Sequence, residues 1–114
     1  MSATHFPASV KIFADHPRFA GVRIATYMTR RHTDRVSVCE LEIGPGIEIP
    51  VHAHEGEIDS IYAVAGAGEA FVNGAWATLT AGDYIFVPAG VPHGIRNTGS
   101  TTLRLFIHHS PPIL

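Results

Sequence analysis

Apolar and polar residues alternate along short runs of the chain, and Gly, Pro, Asn or Asp residues separate most of these runs. Alternation with a period of two is typical of a β-strand that buries one face, and no segment offers a helical periodicity of comparable length. We therefore predict an all-β protein. The predicted strands cover residues 22–28, 35–43, 59–65, 70–72, 75–79, 84–87, 94–97 and 103–108.

The dipeptide Asn73-Gly74 separates two of the predicted strands. Both central residues of a two-residue hairpin turn need positive φ, which Asn and Gly adopt most easily, so a tight hairpin is predicted here. Many short antiparallel strands hide their edges by closing into a barrel or by stacking as two sheets, and we expect a single-domain jelly-roll β-barrel. The segment before Val22 is either a loop, a strand that joins the sheet late, or an arm that extends onto a neighbouring subunit.

Composition limits the architecture and the partners. The chain has 114 residues, of which 46% are hydrophobic and 16% charged, which suits one domain over residues 1–114 that buries roughly two-thirds of its unfolded surface. With a formal net charge of -2 and only 8 Lys and Arg residues, we expect no nucleic-acid partner. No apolar run is long enough to cross a bilayer and the N-terminus lacks the core of a signal peptide, so we expect no membrane association and a cytoplasmic protein.

Cysteine and histidine differ in what they indicate. Cys39 is the only cysteine, which excludes an intramolecular disulfide, and its place in an apolar alternation indicates a reduced, buried thiol. Histidine is frequent, with 8 residues. His5, His16 and His32 are isolated from the other histidines, and we assign them no function.

The stretch PVHAHEGEID combines two imidazoles with three carboxylates. In an extended chain, residues i and i+2 project from the same face, so His52 and His54 point together and can meet one ion. Asp59 begins the next predicted strand, and antiparallel pairing would bring its carboxylate towards the same site. Glu57 has the same parity and competes for this assignment, whereas Glu55 points to one side.

A third imidazole is indicated by the stretch GDYIFVPAGVPHGIRN. A turn rich in Pro and Gly ends one predicted strand there and delivers His93 at the start of the next. Three imidazole nitrogens and one carboxylate would then converge.

Two spaced motifs contain these residues. The first consists of Gly46, five residues, His52, one residue, His54, four residues, Asp59, six residues and Gly66.

The second motif consists of Gly82, five residues, Pro88, one residue, Gly90, two residues, His93, three residues and Asn97. Together the two stretches resemble the paired motifs of the cupin superfamily, and with their spacer they cover residues 46–97 of a small single-domain cupin. The second motif fits the family pattern at every position. The first departs at one position, because the family usually has Glu where this chain has Asp.

The resemblance implies a barrel of six or more strands, often dimeric, that holds one divalent metal ion through His52, His54, Asp59 and His93. Such a ligand set suits Fe, Mn, Zn, Ni or Cu, and it leaves open positions on a six-coordinate ion for substrate or dioxygen. Because Asp is one methylene shorter than Glu, three alternatives stay open for the fourth ligand. Asp59 binds directly or through a water, Glu57 replaces it, or the site has three histidines only.

The resemblance admits several activities. We expect a metal-dependent enzyme that acts on a small molecule, and dioxygenase-like oxidoreduction is favoured because the ligand set leaves adjacent positions for substrate and oxygen. Glu57 is the nearest candidate for a catalytic general base. The alternatives are a metal-dependent isomerase, lyase or cyclase, and a non-catalytic barrel that binds a small molecule. A homodimer is the expected assembly.

His108 and His109 are adjacent in the last predicted strand, so one of them faces inward and the other outward. The alternation of Leu103, Leu105 and Ile107 places His109 on the more apolar face. The sequence leaves open which of the two faces lines the cavity.

Overall fold

A computed structural model describes residues 2–114 of the chain. The described residues contain ten β-strands and one short 3-10 helix, Ala8–Val10, and no helix among them is long and apolar enough to cross a membrane. The strands are β1 (Ala14–Asp15), β2 (Val22–Met28), β3 (Ser37–Ile43), β4 (Glu48–His52), β5 (Ile58–Ala65), β6 (Ala67–Val72), β7 (Ala75–Thr80), β8 (Tyr84–Val87), β9 (His93–Arg96) and β10 (Leu103–Ser110).

The strands form two antiparallel sheets. The larger sheet has the order β1-β2-β3-β10-β5-β8 and the smaller sheet the order β4-β9-β6-β7. The prediction of an all-β protein is confirmed, and the two sheets fit a jelly roll. Because β10 lies between β3 and β5, the last strand of the chain occupies the middle of the larger sheet.

Strand boundaries follow the sequence pattern closely, with two omissions. The predicted strands 22–28 and 84–87 agree with β2 and β8 at both ends. The pattern missed β1 and β4. In β4, Pro50 cannot donate a ladder hydrogen bond, and the strand accordingly lies at an edge of the smaller sheet, where proline is tolerated.

The segment before β2 joins the larger sheet. Ala14–Asp15 pairs with β2, so a late-joining strand, one of the three alternatives, is what the structure shows. The residues before it lie against the outer face of the same sheet. The Lys11 Nζ atom is 3.0 Å from Glu40 Oε1, and the ring of Phe6 packs edge-on against Tyr27 with centroids 5.6 Å apart.

The Asn73-Gly74 hairpin is confirmed. Asn73 has φ 53° and Gly74 has φ 82°, as the two central residues of a tight turn between β6 and β7 require. The hairpin fixes the register of these two strands.

The core lies between the two sheets, and alternate residues of β3, β5 and β10 contribute to it. In β3, buried and half-buried residues alternate without interruption, and in β10 the buried residues are Leu103, Leu105, Ile107 and His109. Cys39 is one of the buried residues of β3, as its sequence context predicted. Burial of these apolar side chains is the main stabilising contribution to the fold.

Candidate metal centre

Three histidines converge where the smaller sheet meets the cavity. His52 ends β4, His54 follows two residues later, and His93 begins β9 directly opposite His52 in the strand pairing. The ring centroids are 4.5 Å apart for His52 and His93, 4.9 Å for His52 and His54, and 5.1 Å for His54 and His93. One nitrogen from each ring lies within 4.8 Å of the other two.

Asp59, near the start of β5, supplies the carboxylate closest to this cluster. Its Oδ2 atom is 3.2 Å from His93 Nε2 and 3.4 Å from His54 Nε2, and the residue is buried. Within residues 2–114, two groups of side chains could hold a metal ion: one is His52, His54 and His93, and the other is His54, Asp59 and His109. Glu57 is half-buried and lines the same cavity, but it belongs to neither group. Glu55 is exposed and does not line the cavity.

Backbone carbonyls set the orientation of two of the imidazoles. His52 Nδ1–H donates to the carbonyl of Pro50 at 2.8 Å, and His93 Nδ1–H donates to that of Val91 at 3.0 Å. In a neutral imidazole with a protonated Nδ1, Nε2 carries a lone pair. In neutral His93 this lone pair faces a carboxylate oxygen of Asp59, and either a proton or a metal cation between the two atoms would satisfy both.

The other carboxylate oxygen of Asp59 also lacks a hydrogen bond. Asp59 Oδ1 is buried and has no hydrogen-bond partner within residues 2–114. Buried polar atoms without a protein partner are rare in folded proteins, and an ion or an ordered water often satisfies them. The donor set of imidazole nitrogens and one carboxylate suits a divalent transition metal, so these residues fit the ion that the resemblance implies.

Burial and hydrogen bonding shift the pKa values of two of these histidines in opposite directions. Burial lowers the pKa of His52, and the hydrogen bond to Pro50 only partly opposes this effect. Burial also acts to lower the pKa of His93, but the hydrogen bonds to Asp59 and Val91 and the charge of Asp59 outweigh it, so this pKa is raised. The Asp59 carboxylate therefore favours the charged form of His93.

His109 joins the site, although the sequence left its direction open. Its Nε2 atom lies 3.8 Å from Asp59 Oδ1, and its Nδ1 atom is 3.0 Å from the hydroxyl of Ser37. Burial lowers the pKa of His109 to about 4. Alternation in β10 was the available signal, because the apolar face of that strand lines the cavity. His108 lies on the opposite, exposed face.

A cavity of about 580 Å³ adjoins the cluster and contains side chains that the sequence did not identify. Phe19 lines it and packs against His52, with ring centroids 6.0 Å apart. His16 lines it as well, and its Nδ1 atom accepts hydrogen bonds from the backbone N–H groups of Arg18 and Phe19, so it shapes the loop before β2. His32 and His5 do not line this cavity.

The sequence of the chain matches a known family model. The model, described as "Cupin domain", matches residues 39–109. The matched segment contains all four residues of the histidine and aspartate cluster and His109.

Two curated proteins show the same likeness over part of their length. An oxalate-binding protein from Thermotoga maritima is 38% identical over 63 residues, which are 55% of this chain and 52% of that protein. A quercetin 2,3-dioxygenase from Bacillus subtilis is 33% identical over 78 residues, which are 67% of this chain and 23% of that enzyme. The chain therefore spans about half the length of the first relative and about a quarter of the second.

Solved structures share the fold over nearly the whole chain. A protein from Thermotoga maritima, described as a predicted oxalate decarboxylase, has a TM-score of 0.85 and 25% identity, with 95% of this chain and 99% of that chain covered. An RmlC-like cupin from Shewanella frigidimarina has a TM-score of 0.82 and 27% identity, with 97% and 94% covered.

Proposed function

The chain belongs to the cupin family, and on that premise we propose that it is a metal-dependent enzyme that acts on a small molecule. The ion is one divalent transition metal, and its ligands are His52, His54, His93 and Asp59. The observation that carries the proposal is the convergence of three imidazoles, with nitrogens within 4.8 Å of one another, on the wall of a cavity.

The residues of the proposed site have different roles. Backbone carbonyls hold Nδ1 of His52 and of His93, so Nε2 is the atom of each ring that would bind the ion. Asp59, rather than Glu57, is the carboxylate ligand, because its Oδ2 atom lies 3.2 Å from His93 Nε2 and Glu57 is in neither cluster. Glu57, which lines the cavity, is then free to accept or donate a proton as the catalytic base.

Dioxygenase-like oxidoreduction is the activity we favour. A bound ion with open positions would supply a place where a substrate oxygen and dioxygen meet, or a Lewis acid for isomerase, lyase or cyclase chemistry. The similarity to a quercetin 2,3-dioxygenase supports the first of these. The similarity to an oxalate-binding protein supports the second candidate function, a barrel that binds a small molecule without converting it.

Metal content is the first test of the proposal. We expect near-stoichiometric metal in anaerobically purified wild type and in His108→Ala, an exposed histidine that serves as the control. His52→Ala and His93→Ala are expected to lose the ion and to keep the wild-type circular dichroism spectrum. Full metal retention in both site variants would contradict the proposed centre.

Turnover separates the candidate functions. Oxygen uptake is measured with a panel of small molecules that chelate metals through oxygen atoms. The dioxygenase would be supported if uptake is abolished in His93→Ala and strongly reduced in Glu57→Gln, with the metal content of Glu57→Gln unchanged. Product formation without oxygen uptake would support Lewis-acid chemistry instead. Saturable binding with no conversion under air would make the protein a binding barrel.

We also propose a homodimer formed through the outer face of the larger sheet. Tyr62 and Val64 of β5 and Tyr84 and Phe86 of β8 are exposed there, and β8 is the edge strand of that sheet. A second copy suits this surface because an isologous antiparallel contact would cover the aromatic side chains and the unpaired edge at once.

A further inference from the structure

The cavity beside the histidine cluster is larger than a small dicarboxylate needs. Its volume of about 580 Å³ falls in the range of sites that enclose drug-sized ligands. Its lining holds carboxylate and imidazole groups, but also many aliphatic side chains from both sheets. The arrangement of these two kinds of side chain indicates what the cavity binds.

In the larger sheet, the strand register separates polar from apolar lining. His109 lies opposite Asp59, and the next cavity-facing pair along the same strands is Ile107 and Ile61. Leu105 lines the cavity two residues further along β10. Four residues of extended strand span roughly 13 Å, so the apolar part of the wall continues well beyond the polar cluster.

The smaller sheet shows the same separation. His52 lies opposite His93, and Ile49 lies opposite Ile95 further along the same two strands. Both isoleucines line the cavity. Along these four strands, the polar groups therefore lie at one end of the cavity and aliphatic side chains along the rest. Further polar groups of the lining come from Thr26 of β2 and the loop residues Arg18 and Arg30.

We propose that the ligand of this protein carries adjacent oxygen donors at one end and a ring-sized apolar body at the other. This inference rests on the proposed function for the oxygen donors, which meet the metal. The apolar body depends only on the cavity. A two-carbon dicarboxylate would contact only the polar end, whereas a ligand with an apolar body would also contact the aliphatic side chains along the rest of the cavity.

Thr26 offers a way to fill part of the cavity from β2, a strand that carries none of the cluster residues. The residue lines the cavity and pairs with Cys39 in the register of β2 and β3, yet its side chain is exposed, so space lies in front of it. Thr26→Phe would occupy that space. Thr78, an exposed residue of β7 that does not line the cavity, provides the matched control Thr78→Phe.

The test compares three probes by anaerobic calorimetric titration: oxalate, flavone and 3-hydroxyflavone. We expect flavone, which lacks the 3-hydroxyl group, to bind metal-free and metal-loaded protein equally, and 3-hydroxyflavone to gain affinity when metal is present. Thr26→Phe should weaken the binding of both flavones by about tenfold or more. It should leave oxalate binding and metal content unchanged. Thr78→Phe should change none of these values.

The outcomes distinguish the two proposals. If oxalate binds metal-loaded protein and neither flavone does, the apolar ligand class is wrong and the metal centre stands. If the protein binds flavone but binds no metal ion, the cavity inference stands and the proposed function fails. Equal weakening of oxalate and flavones by Thr26→Phe would also overturn the inference, because the substitution would then disturb the whole site.

A separate observation concerns His109, whose hydrogen bonds define its tautomer. The Ser37 hydroxyl oxygen accepts hydrogen bonds from the backbone N–H groups of Ile113 at 3.1 Å and Leu114 at 3.4 Å. These two hydrogen bonds use both lone pairs of the oxygen. Its proton is then donated to His109 Nδ1, 3.0 Å away. A neutral His109 with an accepting Nδ1 carries its proton on Nε2, and this N–H is directed towards Asp59 Oδ1.

We infer that His109 is a positioning residue that donates to Asp59, and is not a metal ligand. Asp59 Oδ1 has no other partner within residues 2–114, and His109 Nε2 is 3.8 Å from it, so a small movement of either side chain closes a hydrogen bond. Hydrogen bonds of this kind fix a carboxylate whose other oxygen binds an ion.

Long-range ¹⁵N–¹H correlation spectra of metal-free protein at neutral pH test the tautomer. We expect the Nε2–H form for His109 in wild type and a mixture of tautomers in Ser37→Ala. An Nδ1–H form in wild type would overturn the inference, and this readout is independent of any metal.

Metal affinity tests the positioning role. His109→Gln keeps an N–H donor and should retain wild-type affinity, whereas His109→Leu should weaken it by about tenfold. If His109→Gln, folded by circular dichroism, loses metal as completely as His93→Ala, then His109 is a ligand and the inference is wrong.

Discussion

Two histidines of the cluster are oriented by the backbone carbonyl two residues before them. Pro50 holds His52 and Val91 holds His93, and in each case Nδ1–H is the donor. The orientation is therefore local to each motif and needs no side chain from elsewhere in the fold. Asp59 depends instead on the packing of β5 against the smaller sheet, because its contacts are with His54 and His93.

This difference leads to a prediction for Asp59. Asp59→Ala leaves three oriented imidazoles, so we expect metal affinity to fall by roughly 10- to 100-fold, less than in His52→Ala or His93→Ala. Competition with a fluorescent chelator measures each dissociation constant. A loss as complete as that of the histidine variants would make the carboxylate an essential ligand.

The thiol of Cys39 is expected to be inert. Burial raises its pKa to about 12, and the charges of Asp59 and Glu40 act in the same direction. Because the thiolate is the reactive form, a thiol-reactive dye should label native protein slowly and urea-unfolded protein at once. Rapid labelling of the native protein would show that the thiol is accessible and ionised, contrary to this expectation.

At the level of elements, Asn97 connects the end of β9 to the larger sheet. It is buried, and its Nδ2 group donates to the carbonyls of Ile43 and Thr101, both at 2.8 Å. Its Oδ1 atom accepts the N–H of Gly99 at 2.9 Å. One side chain thus satisfies the end of β3 and the loop before β10 together.

Loss of this side chain should destabilise the fold. We expect Asn97→Ala to lower the free energy of unfolding by about 2–4 kcal/mol, because three backbone groups lose their partner and one of them, the carbonyl of Ile43, is buried. Urea denaturation followed by tryptophan fluorescence measures the change, with Thr78→Ala as the surface control. A change no larger than that of the control would mean that water replaces the amide.

Glu40 ties the segment before β2 to the outer face of the larger sheet. Its Oε1 atom is 3.0 Å from Lys11 Nζ and accepts the hydroxyl of Tyr27 at 2.8 Å. Arg104 Nε lies 3.9 Å from Oε2. Burial acts to raise the pKa of Glu40, but these hydrogen bonds and charges outweigh it, and the pKa is lowered from 4.5.

A lowered carboxyl pKa makes this attachment sensitive to acid. The charged form stabilises the folded state above the unfolded pKa of 4.5, and this contribution is lost as the pH falls through the lower folded pKa. Wild type should therefore be more stable than Glu40→Gln at neutral pH. This difference in stability should shrink as the pH falls through the folded pKa of Glu40. Thermal unfolding of both proteins across acidic pH tests this, and a constant difference would exclude Glu40 as its source.

At the scale of the whole molecule, the two sheets have different outer surfaces. The larger sheet exposes Tyr62, Tyr84 and Phe86 beside its edge strand β8. Adjacent exposed aromatic side chains are typical of a surface that another protein covers. The opposite, inner faces of both sheets form the core and the cavity.

The homodimer proposed through this surface predicts a change of mass. Wild type should sediment at twice the mass of one chain, and Phe86→Asp, which places a charge within the aromatic cluster, should sediment as a monomer. Val51→Asp, at an exposed apolar residue of β4 in the other sheet, is the control and should remain dimeric. A monomeric wild type at high concentration would contradict the proposal.

The sequence alone determined most strands, the Asn73-Gly74 hairpin and the common direction of His52 and His54, whereas His93 joins them through the pairing of β9 with β4. These features depend on local chemistry: side chains alternate along a strand, positive φ favours particular residues, and short spacings bring neighbours to one face. Residues two apart in an extended chain point together whatever the rest of the fold does. The strand β4 was missed for a reason equally local, since Pro50 is unusual within a strand.

The tertiary structure alone decided which distant groups join the cluster. Whether Asp59 or Glu57 approaches His93, and whether His109 faces inward, depends on the pairing of β5 with β10 and on how the sheets pack. A shift of one residue in that register would exchange the inward and outward faces, and a single sequence does not fix it. The apolar length of the cavity and the contact of Ser37 with His109 arise from the same long-range pairings.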